Sequence, residues 1–177
     1  MKAHVSRENV ITFLLTTPMF ENLDPREIGE IIHIVETAKY GPREIIFKEG
    51  SPGDAWYAVY RGEVDVLKEL EAGEYKIRTI GSGACFGEIA VLDGSPRSAT
   101  IRATTDTTVL RIPQDKFMAL IDAEHLVAYK LIKHMALILA AKQRENTEAL
   151  SQLLYSEELP QVQEGIKNIV DNSTVRH

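Results

Sequence analysis

The spacing of apolar positions changes twice along the chain. From Phe20 to Val35, the side chains of Phe20, Leu23, Ile28, Ile31, Ile32 and Val35 recur at near-helical intervals, as expected of short helices buried on one side. Asp24-Pro25 marks a helix start. The aspartate can accept from the free N–H groups of the first turn, and the proline has its φ preset for the helix. From Tyr40 to Pro113 the intervals shorten. Runs rich in Val, Ile, Tyr and Thr at 44–48, 55–60, 63–67, 76–80, 99–103 and 108–112 are separated by turn residues, and nine of the eleven glycines fall in this stretch. Ser51-Pro52-Gly53-Asp54 and Arg61-Gly62 are turns, since proline fixes φ, glycine admits positive φ and aspartate can close an Asx turn. Short strands at this spacing predict a small all-β barrel or roll.

From Gln114 the helical period returns. Phe117, Leu120 and Ile121 predict a short amphipathic helix, and a longer one follows from about Leu126. Between Leu131 and Ala141 only Lys133 and His134 are polar. A helix apolar on nearly every side is expected to be buried on every side, with one face on the roll and the other on a second copy of the chain. Ile132, Leu139, Asn146 and Leu153, spaced by seven, fit the same dimer.

Composition narrows the function classes. A chain of 177 residues, 44% hydrophobic and 26% charged, is long enough for one cored domain with a small appendage. A net charge of -6 and a pI of about 5.4 argue against a basic face for nucleic acid or anionic lipid. The lone cysteine, Cys85, excludes a disulfide framework, a multi-cysteine zinc site and a cysteine-ligated iron–sulfur cluster, and it fits a reducing compartment. No run is long and apolar enough for a membrane helix, and the first residues are too polar for a secretory signal, so a cytoplasmic location is expected. The five histidines, at 4, 33, 125, 134 and 177, all lie outside the β-region, which weighs against a metal-binding roll.

The chemistry concentrates in 86–100, Phe-Gly-Glu-Ile-Ala-Val-Leu-Asp-Gly-Ser-Pro-Arg-Ser-Ala-Thr. Gly87 allows close backbone approach. Residues 88–92 fit one helical turn, whose free N–H groups and positive dipole end attract an anion. Asp93-Gly94-Ser95-Pro96 turns the chain back, bringing Arg97 beside that helix start with the Ser98 hydroxyl next to it. A guanidinium so placed suits a phosphate. Glu88 adds the acceptor that a sugar hydroxyl requires. The combination points to a phosphorylated sugar, and it has no activated nucleophile or metal with which to transform one.

This string resembles the phosphate-binding cassette of the cyclic-nucleotide-binding domain family, found in catabolite-activator-type regulators, regulatory subunits of cyclic-AMP-dependent kinase and cyclic-nucleotide-gated channels. Ile46 to Tyr57 and Arg61-Gly62-Glu63-Val64 resemble the family's first hairpin strands, and Phe20-Glu21-Asn22-Leu23 its N-terminal helices, so the resemblance covers about residues 12–142. It implies a mainly β fold with flanking helices (α+β), a β-roll of double-stranded β-helix or jelly-roll type. The expected division is N-terminal helices over 1–38, the roll over 39–113, two helices over 114–155 and a tail or linker over 156–177.

The resemblance also implies roles. Glu88 would accept from the ribose 2′-hydroxyl and Arg97 would pair with the cyclic phosphate. Ser98 and the backbone N–H groups of Ile89, Ala90 and Ala99 would complete the cradle, and Gly87 would permit the tight approach. The long helix would cap the base with Lys142, Gln143 and Arg144, where catabolite-activator-type relatives carry small hydroxyl residues. Ser98 favours cyclic AMP over cyclic GMP as ligand; no cofactor, metal or enzymatic activity is implied.

A catabolite-activator-type transcription factor would continue into a helix-turn-helix. The 33 residues after Arg144 carry six acidic side chains against two basic ones, so DNA binding is not expected. The expectation is a sensor whose ligand moves the C-terminal helix and signals to a protein partner or to an effector domain beyond this chain. The alternative is a ligand-independent scaffold that keeps the fold and dimerises through the helix between Leu131 and Ala141.

Overall fold

The computed structural model describes residues 5–155, so the expected tail lies outside the described residues. Helix α1 (Arg7–Thr16) is followed by a single 3-10 turn (Pro18–Phe20) and by α2 (Pro25–Ile31). Asp24 begins α2 with a reciprocal cap. Its Oδ1 accepts from the N–H groups of Arg26 and Glu27 at 2.8 and 2.9 Å, and the Glu27 carboxylate accepts from the Asp24 N–H at 3.0 Å.

Eight strands follow: β1 (Glu36–Tyr40), β2 (Ile45–Phe47), β3 (Ala55–Arg61), β4 (Glu63–Leu70), β5 (Gly73–Gly81), β6 (Cys85–Phe86), β7 (Thr100–Ala103) and β8 (Thr107–Pro113). Helix α3 (Glu88–Asp93) lies between β6 and β7, and α4 (Gln114–Asp122) and α5 (Leu126–Tyr155) come last. The strands form two antiparallel four-stranded sheets, ordered β1-β8-β3-β6 and β2-β7-β4-β5. This is the expected β-roll with flanking helices. One boundary moves: Glu36, Thr37 and Ala38, expected in the helical segment, open β1. There Glu36, Ala38 and Tyr40 turn inward and Thr37 and Lys39 outward, a period of two.

The roll closes on Ala55, Tyr57, Val59, Val64, Phe86, Ile101 and Val109. Strand β3 is buried on both faces, so residues 55–59 read as a continuous apolar run rather than an alternating one. Its other face carries Trp56, which stacks on Phe20 at 5.7 Å between ring centres and meets Phe117 of α4 edge-on at 6.0 Å. The turn before β3 leans on α3 just as closely, since a Cβ on Gly53 would lie 2.5 Å from that of Ala90.

The start of α5 buries Val127, Ala128, Leu131, His134 and Met135, with the His134 ring 2.6 Å from the Asn22 amide. Of the stretch from Leu131 to Ala141, Leu131, His134 and Met135 are buried within the chain. Lys133, Ala136, Leu137 and Ala140 are exposed, because only one stripe of this uniformly apolar stretch is covered. Beyond Ala136 the helix forms a separate unit, on which Leu137, Leu150, Leu153 and Tyr155 are exposed. No helix among the described residues is long and apolar enough to cross a membrane.

Two outcomes test this packing. Phe117→Ala should lower unfolding free energy by about 3–5 kcal/mol in denaturant titration, and a loss near zero would take α4 out of the core. Gly53→Ala should cost about 1–3 kcal/mol by overpacking against Ala90. Gly29→Ala, where an added Cβ meets nothing within 4 Å in α2, should stabilise by about 0.4–1 kcal/mol.

Candidate functional site

The backbone of the 86–100 segment is set by two left-handed glycines and one Asx turn. Gly87, at φ +79°, precedes α3, and a Cβ there would lie 2.8 Å from Arg97 Nη1 and 3.4 Å from the Phe47 ring. Conformation and space therefore both require glycine. Gly94, at φ +71°, ends α3. Asp93 Oδ1 then accepts from the N–H and hydroxyl of Ser95 at 2.9 and 2.6 Å, which turns the chain back. The returning strand is fastened to the β2–β3 turn at Arg97 itself: its N–H donates to the Ser51 carbonyl and its carbonyl accepts from the Gly50 N–H, both at 2.8 Å.

The Arg97 side chain runs inward and is 2% exposed. Nη1 donates to the Gly87 carbonyl at 2.8 Å, and Nη2 donates to the Ala55 carbonyl at 2.6 Å and to Asp54 Oδ1 at 3.0 Å. The guanidinium carbon sits 4.1 Å from the Phe47 ring centre, over its face. Arg97 Nε is buried and has no hydrogen-bond partner among the described residues. An unmatched buried donor costs about 1–3 kcal/mol, more when charged. The group that would satisfy it is an oxygen acceptor, best an anionic one.

The expected site residues divide. Gly87, Glu88, Ala90 and Arg97 come together: Glu88 is 5% exposed in the first turn of α3, Ala90 is buried against Gly53, and Gly87 joins Glu88 to the Arg97 guanidinium through its carbonyl. Ile89 is exposed on α3. Ser98 and Ala99 lie on the way into β7. Ser98 is exposed and its carbonyl accepts from Lys68 Nζ at 3.0 Å, while Ala99 is half-buried. Lys142, Gln143 and Arg144 fall on the separate outer part of α5, with Gln143 and Arg144 exposed. Their role as a base cap stays a proposal.

Other residues join the site without having been expected there. Asp54, read from the sequence only as a turn residue, gives Oδ1 to Arg97 and Oδ2 to Arg111 Nη2 at 2.8 Å. Arg111 Nη1 donates to Glu36 Oε2 at 2.8 Å, and Lys116 Nζ to Glu36 Oε1 at 2.7 Å. Five alternating charges thus run from the cassette to α4. The one sequence signal was an arginine set inside the apolar run Val-Leu-Arg-Ile. Burial pushes the Asp54 carboxyl upward, but Arg111 and Arg97 outweigh it and hold the group below the usual carboxylate range. Glu36 is lowered by Lys116 and, against some burial, by Arg111. Burial pulls Arg111 down, yet its acceptors Asp54, Glu36 and the Tyr57 hydroxyl raise it above the ordinary arginine value. At neutral pH these carboxylates and Arg111 are ionised.

Against this geometry, residues 37–124 match the family model of the cyclic nucleotide-binding domain. The regulatory subunit of cAMP-dependent protein kinase from Emericella nidulans is 37% identical over 109 residues, 62% of this chain and 26% of its own length. The match therefore spans about a quarter of that relative. Among solved structures, the catabolite activator protein of Thermus thermophilus superposes with a TM-score of 0.68 at 32% identity, over 77% of this chain and 63% of that one. A cyclic nucleotide-binding domain from Methylobacillus flagellatus gives 0.72 at 23% identity over 86% of each chain, a likeness of fold. These relatives are regulatory and ligand-binding proteins rather than enzymes. Strand order, cassette and sequence likeness agree, and over residues 37–124 this chain belongs to the cyclic nucleotide-binding domain family.

Proposed function

We propose that this chain is a regulatory sensor for a cyclic nucleotide, cyclic AMP in preference to cyclic GMP, bound in the 86–100 cassette and read out through α5. One observation carries the reading: Arg97 buries a guanidinium and leaves Nε without an acceptor among the described residues. A cyclic phosphate oxygen supplies that acceptor. The buried Glu88 carboxylate accepts from the ribose 2′-hydroxyl, and Ser98 with the N–H groups of Ile89, Ala90 and Ala99 completes the cradle. The family resemblance offers Lys142, Gln143 and Arg144 as the candidates for a base cap. The preference for cyclic AMP rests on serine at 98 and on the relatives named as subunits of a cAMP-dependent kinase.

The signal is a population shift. Ligand binds better to the arrangement in which α3 is drawn onto Arg97, and α5 follows. Relatives that are regulatory subunits of a kinase support a protein partner in trans. The half-buried Ile132 and Leu139 and the exposed Leu153, on one heptad stripe, support a homodimer through α5. The same stripe favours a second reading, a scaffold that dimerises without ligand. A single half-buried cysteine, Cys85, fits a reducing cytoplasm.

Thermal melting separates the two readings. Cyclic AMP at a hundred times its Kd should stabilise the ligand-free protein by about 2.7 kcal/mol, with a smaller shift for cyclic GMP and none for linear AMP. Arg97→Gln should abolish the shift. No response to either cyclic nucleotide would leave the scaffold. For the dimer, Leu139→Glu should convert the protein to monomers in light scattering without loss of nucleotide binding; unchanged mass would remove this stripe of α5 from the interface.

A further inference from the structure

We infer that Arg111 is a positioning residue for the anion site: by holding one oxygen of Asp54, it keeps that carboxylate from closing on Arg97 and leaves Arg97 Nε open to a phosphate oxygen. The inference rests on the cassette being a cyclic nucleotide site.

A carboxylate touching a guanidinium commonly forms two parallel hydrogen bonds. Asp54 and Arg97 make only one, Oδ1 to Nη2 at 3.0 Å, and the second oxygen is turned to Arg111 Nη2 at 2.8 Å. The backbone of Asp54 is fixed, since its carbonyl accepts from the Gln114 N–H at 2.9 Å. Its side chain is 60% exposed, and the salt bridges to Arg97 and Arg111 set its orientation. Freed from Arg111, the carboxylate can rotate about its own side-chain bonds and offer both oxygens to Arg97.

Arg111 is built to prevent that rotation. The strand register sets it directly across from Glu36 on β1 and from Tyr57 on β3. Glu36 takes Nη1, and Lys116 holds the other oxygen of Glu36. The fork facing Asp54 is therefore held from β1 directly and from α4 through Glu36. A lysine has donors enough for both carboxylates but lacks the rigid planar fork that fixes where each oxygen is held.

A carboxylate oxygen and a phosphate oxygen are rival acceptors for the same N–H. An Asp54 released beside Arg97 would compete intramolecularly, at a high effective concentration that a dissolved ligand must overcome. It would also leave a full negative charge, unshared with Arg111, next to the phosphate. Both effects weaken binding, and both act through Asp54.

The test is a cycle read by calorimetry with cyclic AMP, and cyclic GMP in parallel, on the full chain. Each variant is first checked for a cooperative melt. Arg111→Gln should weaken binding by about tenfold. Adding Asp54→Asn to it should restore affinity toward that of Asp54→Asn alone, because the amide carries no charge and is a poorer rival acceptor. Arg111→Lys should fall between wild type and Arg111→Gln, and its pair with Asp54→Asn gives the same comparison if Arg111→Gln fails to fold. A double variant that binds no tighter than Arg111→Gln, or an Arg111→Gln that binds like wild type, overturns the inference while the cassette reading stands. Wild-type protein that binds neither cyclic nucleotide overturns the cassette reading, and this inference with it.

Discussion

A positive charge held almost entirely out of water is the constraint around which this roll is arranged. Arg97 is tolerable at that depth only because carbonyls from two segments, Gly87 and Ala55, and one carboxylate oxygen converge on it. Each partner constrains its own neighbourhood. The Gly87 carbonyl is reachable because no side chain stands between it and the guanidinium. The Ala55 carbonyl belongs to the first residue of a strand buried on both faces, so it cannot drift. The aromatic faces of Phe47 and Tyr57 line the remaining approach. Helix α3, the β2–β3 turn and the start of β7 thus meet at one side chain.

That compensation is incomplete by design of the covalent geometry. Guanidinium carries five N–H bonds in a plane, and the protein supplies oxygen to only part of that fan. Three of the five have oxygen acceptors, and the buried Nε is among those that do not. The carboxylate best able to satisfy it, Asp54, is shared with a second arginine across the sheet.

Local chemistry was legible in the sequence. Asp24-Pro25 announced a cap, and Gly87, the 88–92 turn and the Asp93 to Pro96 reversal announced the cassette, because each acts over four or five residues through backbone preference. Strand β1 was not legible, since its inward residues are Glu36, Ala38 and Tyr40, only one of them strongly apolar. Strand β6 is two residues long and has no period to read. Which residues between Leu131 and Ala141 pack within the chain was not legible either, since the composition there is uniform and burial depends on what lies opposite. The links from Asp54 to Arg111 and from Arg111 to Glu36 span 57 and 75 residues and exist only through strand register, which no local pattern encodes.

The stacked rings beneath the roll have an optical consequence. Trp56 is the chain's one tryptophan, fully buried between Phe20 and Phe117, and it lies on the face of β3 opposite Tyr57. Its indole emission therefore comes from a single, dry place at the seam between helices and roll. A blue-edge spectrum is the signature of that seam intact, and a red shift is the signature of water reaching it. The molecule carries its own fluorophore where α4 meets the sheet, so rearrangements of the helical layer can be followed in real time without a dye.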